Sequence, residues 1–152
     1  MSHITIHTIG KSRAHLEYHR LAEEYLKRLP WRVGVQEWEV KKNLEGEARK
    51  QAESKLLLEA CTAGSHVIAL DVQGKTMTSE SLAQHIAKQT LHSRPLIFLI
   101  GGAHGFDDTI RQRADLLLSF GSCTWPHMLV RVMLLEQLYR SYSILQHHPY
   151  HK

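Results

Sequence analysis

The feature that most limits what this chain can fold into is a pair of nearly continuous apolar runs. One is Val67-Ile68-Ala69-Leu70, closed by Asp71; the other is Leu96-Ile97-Phe98-Leu99-Ile100. A strand with one wet face alternates apolar and polar residues. A short run that is apolar at every position suits a strand covered on both faces, as in a parallel sheet flanked by helices. Leu116-Leu117-Leu118 forms a third such run, ended by Gly121. Nearer the N-terminus, Ile4 and Ile6 alternate with His3, Thr5 and His7, which predicts a half-buried strand ending at Gly10. Trp31 to Val40 also reads as a strand. Its alternation slips between Val35 and Trp38, which predicts a bulge.

Helical stretches lie between these strands. Ser12 to Leu29 is closed by Pro30, and Lys42 to Ala63 is stopped by Gly64. Ser79 to Gln89 follows a Ser/Thr cluster suited to capping. Asp107 can cap a short helix that runs to Ala114. Pro126 to Tyr142 is apolar on more than one side, as expected of a helix that is central or packed against another subunit. Strand and helix thus alternate five times, which predicts an α/β layered domain with a mainly parallel sheet. The 152 residues fit a single domain spanning 1–152.

Charge constrains function only loosely. The net charge is +4, with 11 Lys/Arg against 9 Asp/Glu in residues 1–60 and 8 against 6 in residues 61–152. An anionic partner is allowed, but no basic tail announces one. Lys27, Arg28 and Arg32 beside Trp31 form the densest basic spot, which also suits a solvated helix end. Two cysteines without a pattern, no signal-like N-terminus and no long apolar stretch predict a reduced, cytoplasmic protein without a membrane span.

In open α/β sheets, ligands bind at the carboxyl ends of the strands. Three such ends carry glycine here: Asp71-Val72-Gln73-Gly74, Gly101-Gly102-Ala103-His104-Gly105 and Gly121-Ser122-Cys123-Thr124-Trp125-Pro126. Glycine-bearing loops after buried strands predict a crevice lined by backbone, suited to an adenine-type ligand. Neither a Walker loop nor a dinucleotide fingerprint is present. Twelve histidines raise the question of a metal, yet the zinc spacings are absent; His15 and His19, at i and i+4, lack a third ligand. Cys123 with His127 could form a nucleophile and base, but a small buried thiol explains Cys123 more simply.

The segments VIALDVQGK (67–75), FLIGGAHGF (98–106) and TWPHMLVRVMLLEQLYRSYSILQHHPYHK (124–152) closely resemble the ribosomal large-subunit methyltransferase H family. That family is the small single-domain branch of the SPOUT methyltransferases. The resemblance covers essentially the whole chain and is most specific in the second half. It implies a layered domain with a C-terminal trefoil knot, a homodimer, and S-adenosylmethionine as methyl donor. It further implies methylation of N3 of a pseudouridine in 23S rRNA, within the assembled 70S ribosome. Leu70, Gly102 and the segment Gly121, Ser122, Cys123, Thr124, Trp125 and Pro126 would then hold the cofactor. His127, Arg131, Arg140, Tyr150 and His151 would face the RNA, with His148 beside them, completed across the dimer. Arg140 follows Glu136 by four residues, so a plain helix ion pair is an alternative for it. Gln73, His104 and His147 depart from the family's usual residues. The same fold acting on tRNA or another rRNA position, or a ribosome-associated factor without catalysis, stays open as an alternative.

Overall fold

The computed structural model describes residues 3–152; Met1 and Ser2, the first residues of the N-terminal segment, lie outside it. Five strands, β1 (Ile4–Ile9), β2 (Val33–Trp38), β3 (His66–Thr76), β4 (Leu96–Ile100) and β5 (Leu116–Ser119), form one sheet in the order β2-β1-β4-β3-β5. Every pairing is parallel, so all the strands end at the same edge. Four α-helices connect them, α1 (Leu16–Arg28), α2 (Gly46–Ala60), α3 (Ser79–Leu91) and α4 (Asp108–Arg113), and α5 (His127–Leu145) follows β5.

The apolar runs behave as a doubly covered sheet requires. β4 is buried at every position, and Val67, Ile68 and Ala69 of β3 are fully enclosed. On one face, Ile6, Ile68 and Phe98 pack with α1, α3 and α5. On the other, Val67, Ala69, Ile97 and Leu99 pack with Leu57 of α2 and Ile110 of α4. The result is three layers, helix on sheet on helix. α5 is the central helix of its layer, between α1 and α3, with Leu134, Leu135 and Leu138 fully buried. That position accounts for its mixed apolar pattern.

Several boundaries differ from expectation. β2 carries no bulge: it pairs with β1 in unbroken register from Ile4↔Val33 to Ile9↔Trp38. It is an edge strand, partly covered on both faces, so its alternation is weak without being interrupted. The irregularity lies in β3 instead. Leu70 and Lys75 both register with Leu118, and residues 71–74 bow out of the ladder between them. Asp71 to Gly74 is therefore an excursion within a strand that runs on to Thr76. At Gly74 a β-carbon would stand 2.6 Å from the Leu117 carbonyl carbon and 2.7 Å from its oxygen, which only glycine avoids. α1 begins at Leu16, after a 3-10 turn over Ser12–Ala14, and α2 begins at Gly46 rather than Lys42. Asp107 caps α4 as expected, accepting from the Thr109 amide at 3.0 Å. Among the described residues, no helix is long and apolar enough to cross a membrane.

Candidate active site

The excursion of β3 and the loops after β4 and β5 enclose a cleft at the carboxyl edge of the sheet. Its enclosed volume is about 150 Å³, and it continues into a wider space outside. Leu70, Ile100, Phe106, Leu118 and Val130 give it apolar walls, and Gly101, Gly102 and Gly121 expose backbone to it. It opens into a more polar hollow bordered by Gln73, His104, Arg111 and Pro126. Geometry favours glycine at two of these positions. Gly121 sits at φ +115°, a region that side chains disfavour. At Gly102 a β-carbon would press on Glu53 and Ile9 at 3.0–3.2 Å. The loop after β5 is fixed at its root: the buried Ser119 hydroxyl accepts from the Gly121 amide at 3.1 Å and faces the Gly121 and Val72 carbonyls at 2.9 and 3.1 Å. Arg111 braces the excursion, donating from Nε to Asp71 at 2.9 Å, while Asp71 accepts from the Gln73 amide at 2.9 Å.

The expected cofactor residues fall here almost as a set. Leu70, Gly102, Gly121, Cys123, Thr124 and Trp125 line the inner cleft, and Pro126 borders the outer hollow; Ser122 lines neither. Exposed backbone between apolar walls suits an adenosine-type ligand. Cys123 is exposed, so the expected small buried thiol is not what the fold provides.

His127 opens α5 and borders both the cleft and the hollow. Burial, aided by the positive charge of Arg131 and by His15, holds its pKa below the ordinary histidine value, so its imidazole is neutral near pH 7. Arg131 follows one turn later and faces inward at 2% exposure. Its guanidinium pairs with Glu37 at 2.5 Å and donates to Thr8 Oγ1 and the Gly10 carbonyl, both at 3.2 Å. Glu37 also accepts from the Ser12 amide at 2.6 Å. Burial raises the Glu37 pKa, but these donors outweigh it and leave a net lowering. Arg131 therefore ties the start of α5 to the ends of β1 and β2.

The remaining candidates gather elsewhere. Arg140 donates to Glu136 Oε1 from Nε and Nη2 at 3.0 and 2.7 Å, so the helix ion pair is present. Tyr150 donates its hydroxyl to the same oxygen at 3.0 Å, and its ring lies 4.8 Å from the Arg140 guanidinium carbon. His151 bridges Arg140 Nη1 at 3.1 Å and Glu80 of α3 at 2.7 Å. The tail is thus folded against α5 and α3. Burial and the Glu136 carboxylate push the Tyr150 hydroxyl up to about 12, so it remains a donor. None of these tail residues lines the cleft.

A family model described as "Predicted SPOUT methyltransferase" matches residues 2–151. The chain is 47% identical over 133 residues to the ribosomal RNA large subunit methyltransferase H of Rhodospirillum centenum, covering 87% of this chain and 88% of the relative. It is 43% identical over 150 residues to the protein of that name from Paramagnetospirillum magneticum, with 98% of each chain covered. The chain belongs to the ribosomal RNA large subunit methyltransferase H family of SPOUT methyltransferases.

Some features of this methyltransferase-family site were not visible in its sequence. Glu53 of α2 lies buried against Gly102, and Ser54 beside it accepts from the Asp107 amide at 3.0 Å. Both sit among polar neighbours in the first half of α2, and no local motif marks them. Arg111 and Asp71 are 40 residues apart, a pairing that only the fold brings about. His19 Nδ1 is 2.8 Å from Ser12 Oγ, and no three metal-ligating side chains cluster among the described residues.

Proposed function

We propose that the chain methylates N3 of a pseudouridine in 23S rRNA on the assembled 70S ribosome, using S-adenosylmethionine, as a cytoplasmic homodimer with a C-terminal trefoil knot. The observation that carries this reading is the glycine-bearing, apolar-walled cleft at the ends of β3, β4 and β5, with neutral His127 at its rim. Bound there, the cofactor would supply a methyl group already activated on a sulfonium. The protein's part is then alignment and proton management. Leu70 and the backbone of Gly102 and Gly121 would hold the donor, and the apolar walls would limit water around it. His127, kept uncharged, accepts the proton that N3 must lose. Trp125, 42% exposed at the cleft, offers a stacking face for a base.

The two-copy arrangement draws support from the separation within one chain of the cleft and the Arg140–Tyr150–His151 cluster. A second chain that set its tail beside the first chain's cleft would bring both halves together. Arg140 stays cationic, since the Glu136 hydrogen bonds raise its pKa, and it suits an RNA phosphate or an anionic base ring. The rRNA target draws on the names of the relatives. The preference for an assembled particle draws on the modest net charge of +4, a weak grip for free RNA.

The test is to incubate the protein with radiolabelled S-adenosylmethionine and either 70S ribosomes, separated subunits or the naked rRNA hairpin. Label should enter the 70S particle strongly and the hairpin barely. Equal labelling of hairpin and particle would contradict the reading.

A further inference from the structure

Glu53 stands in mid-helix at 3% exposure, where carboxylates are rarely found without a partner. Its Oε2 is 3.4 Å from Arg49 Nε, a long contact to a side chain that is itself 30% exposed. Its Oε1 is buried and accepts no hydrogen bond from any described residue. Both oxygens press against Gly102, where a β-carbon would stand 3.0 and 3.1 Å from them. Gly102 is part of the cleft lining. An under-paired buried carboxyl group therefore lies beside a residue that lines the ligand space. The loop cannot easily drift from it, because the adjacent Ser54 holds the Asp107 amide.

A purely structural role does not explain a carboxyl group at this position. Burying a carboxylate is costly unless a cation and hydrogen bonds offset it, and an apolar or amide side chain of similar size would fill the same space. A cation in the cleft would complete the pairing. The proposed donor carries a positive sulfur; the product left after transfer carries a neutral one.

We infer that the Glu53 carboxylate is a specificity-determining group that makes the cleft prefer the sulfonium donor to the thioether product. The inference rests on the proposed cofactor. Donor and product share the adenosine and the amino-acid ammonium, so the sulfur charge is what separates them. Even from behind Gly102, a carboxylate in a partly desolvated setting corresponds to roughly a ten-fold difference in affinity between a charged and a neutral sulfur. Glu53 thereby assists release of the spent cofactor.

The experiment is titration calorimetry of the full-length protein with S-adenosylmethionine and S-adenosylhomocysteine, in wild type and Glu53→Gln. Thermal melting of both proteins checks that the variant is folded. Glu53→Gln should lose roughly ten-fold in donor affinity while product affinity is nearly unchanged. Equal weakening of both ligands, or no change in either, would overturn the inference. A wild-type protein that binds neither ligand would instead sink the cofactor reading, and this inference with it. A second measurement leaves Glu53 in place. Arg49 of α2 and His104 of the loop are the charged and titratable groups acting on it, and burial raises its pKa. In a His104→Ala background, the donor-to-product affinity ratio should fall as pH drops through the Glu53 pKa. A ratio flat with pH would overturn the inference as well.

Discussion

His127 and Arg131 sit one turn apart on the same helix and look alike as candidates in the sequence, but the fold gives them different work. His127 faces the ligand space and is neutral; Arg131 faces inward and holds Glu37. The expected consequences differ accordingly. His127→Ala should lower kcat by roughly 10²–10⁴-fold, the usual loss for a general base, with cofactor affinity retained in calorimetry. Because burial holds its pKa below the ordinary histidine value, the acid limb of kcat/KM should fall below about pH 6.5. A limb above that value would remove His127 as the base. Arg131→Met should instead destabilise the fold by ~3 kcal/mol in denaturant melts, since it strands a partly buried Glu37. The reason this division was not legible is distance: Glu37 lies 94 residues from Arg131. No local pattern distinguishes an arginine that reaches such a partner from one that reaches solvent. Glu53 is the same case, since its meaning comes from Gly102 on another element.

At the level of elements, the apolar runs announced β3, β4 and β5 because a strand buried on both faces must be apolar throughout. The extension of β3 past Asp71 was not readable. Polar Gln73 and flexible Gly74 resemble a turn, whereas Gly74 is required for passage beside Leu117. Gly74→Ala should cost ~3 kcal/mol of stability, because the obstacle is backbone rather than a side chain that can swing aside. A melting curve unchanged from wild type would contradict that account. β3 and α3 are also joined by His66 and His85, whose Nε2 atoms are 2.9 Å apart. Burial lowers the pKa of both, with the positive charge of neighbouring Arg and Lys adding to it and Asp115 opposing it at His66. Depressed folded-state pKa values mean that their contribution is complete above the unfolded histidine value and is lost as pH falls below it. Melting temperature should therefore drop between pH 7 and pH 5, and His85→Gln should blunt that drop.

Over the whole molecule, strand–helix alternation was enough to predict the layered α/β domain, but strand order was not, because long-range pairing leaves little trace in local pattern. The C-terminal segment QHHPYHK shows the same limit. Its residues suggested a working tail; the fold shows it pinned through Tyr150 to Glu136 and through His151 to Glu80, away from its own cleft. If two copies complete one site, removing residues 148–152 should abolish methylation while cofactor binding survives. Mixing that truncated chain with His127→Ala should restore activity, because one mixed site would hold an intact cleft and an intact tail. Two inactive proteins that stayed inactive when co-assembled would argue for a site contained in one chain. The proposed transfer of a methyl group from this cleft to a ribosomal pseudouridine is tested most directly by nucleoside mass analysis of 23S rRNA. Cells lacking the chain should lose one methylated pseudouridine, and wild-type protein but not His127→Ala should return it. An unchanged set of methylated pseudouridines in the cells without the chain would contradict the account.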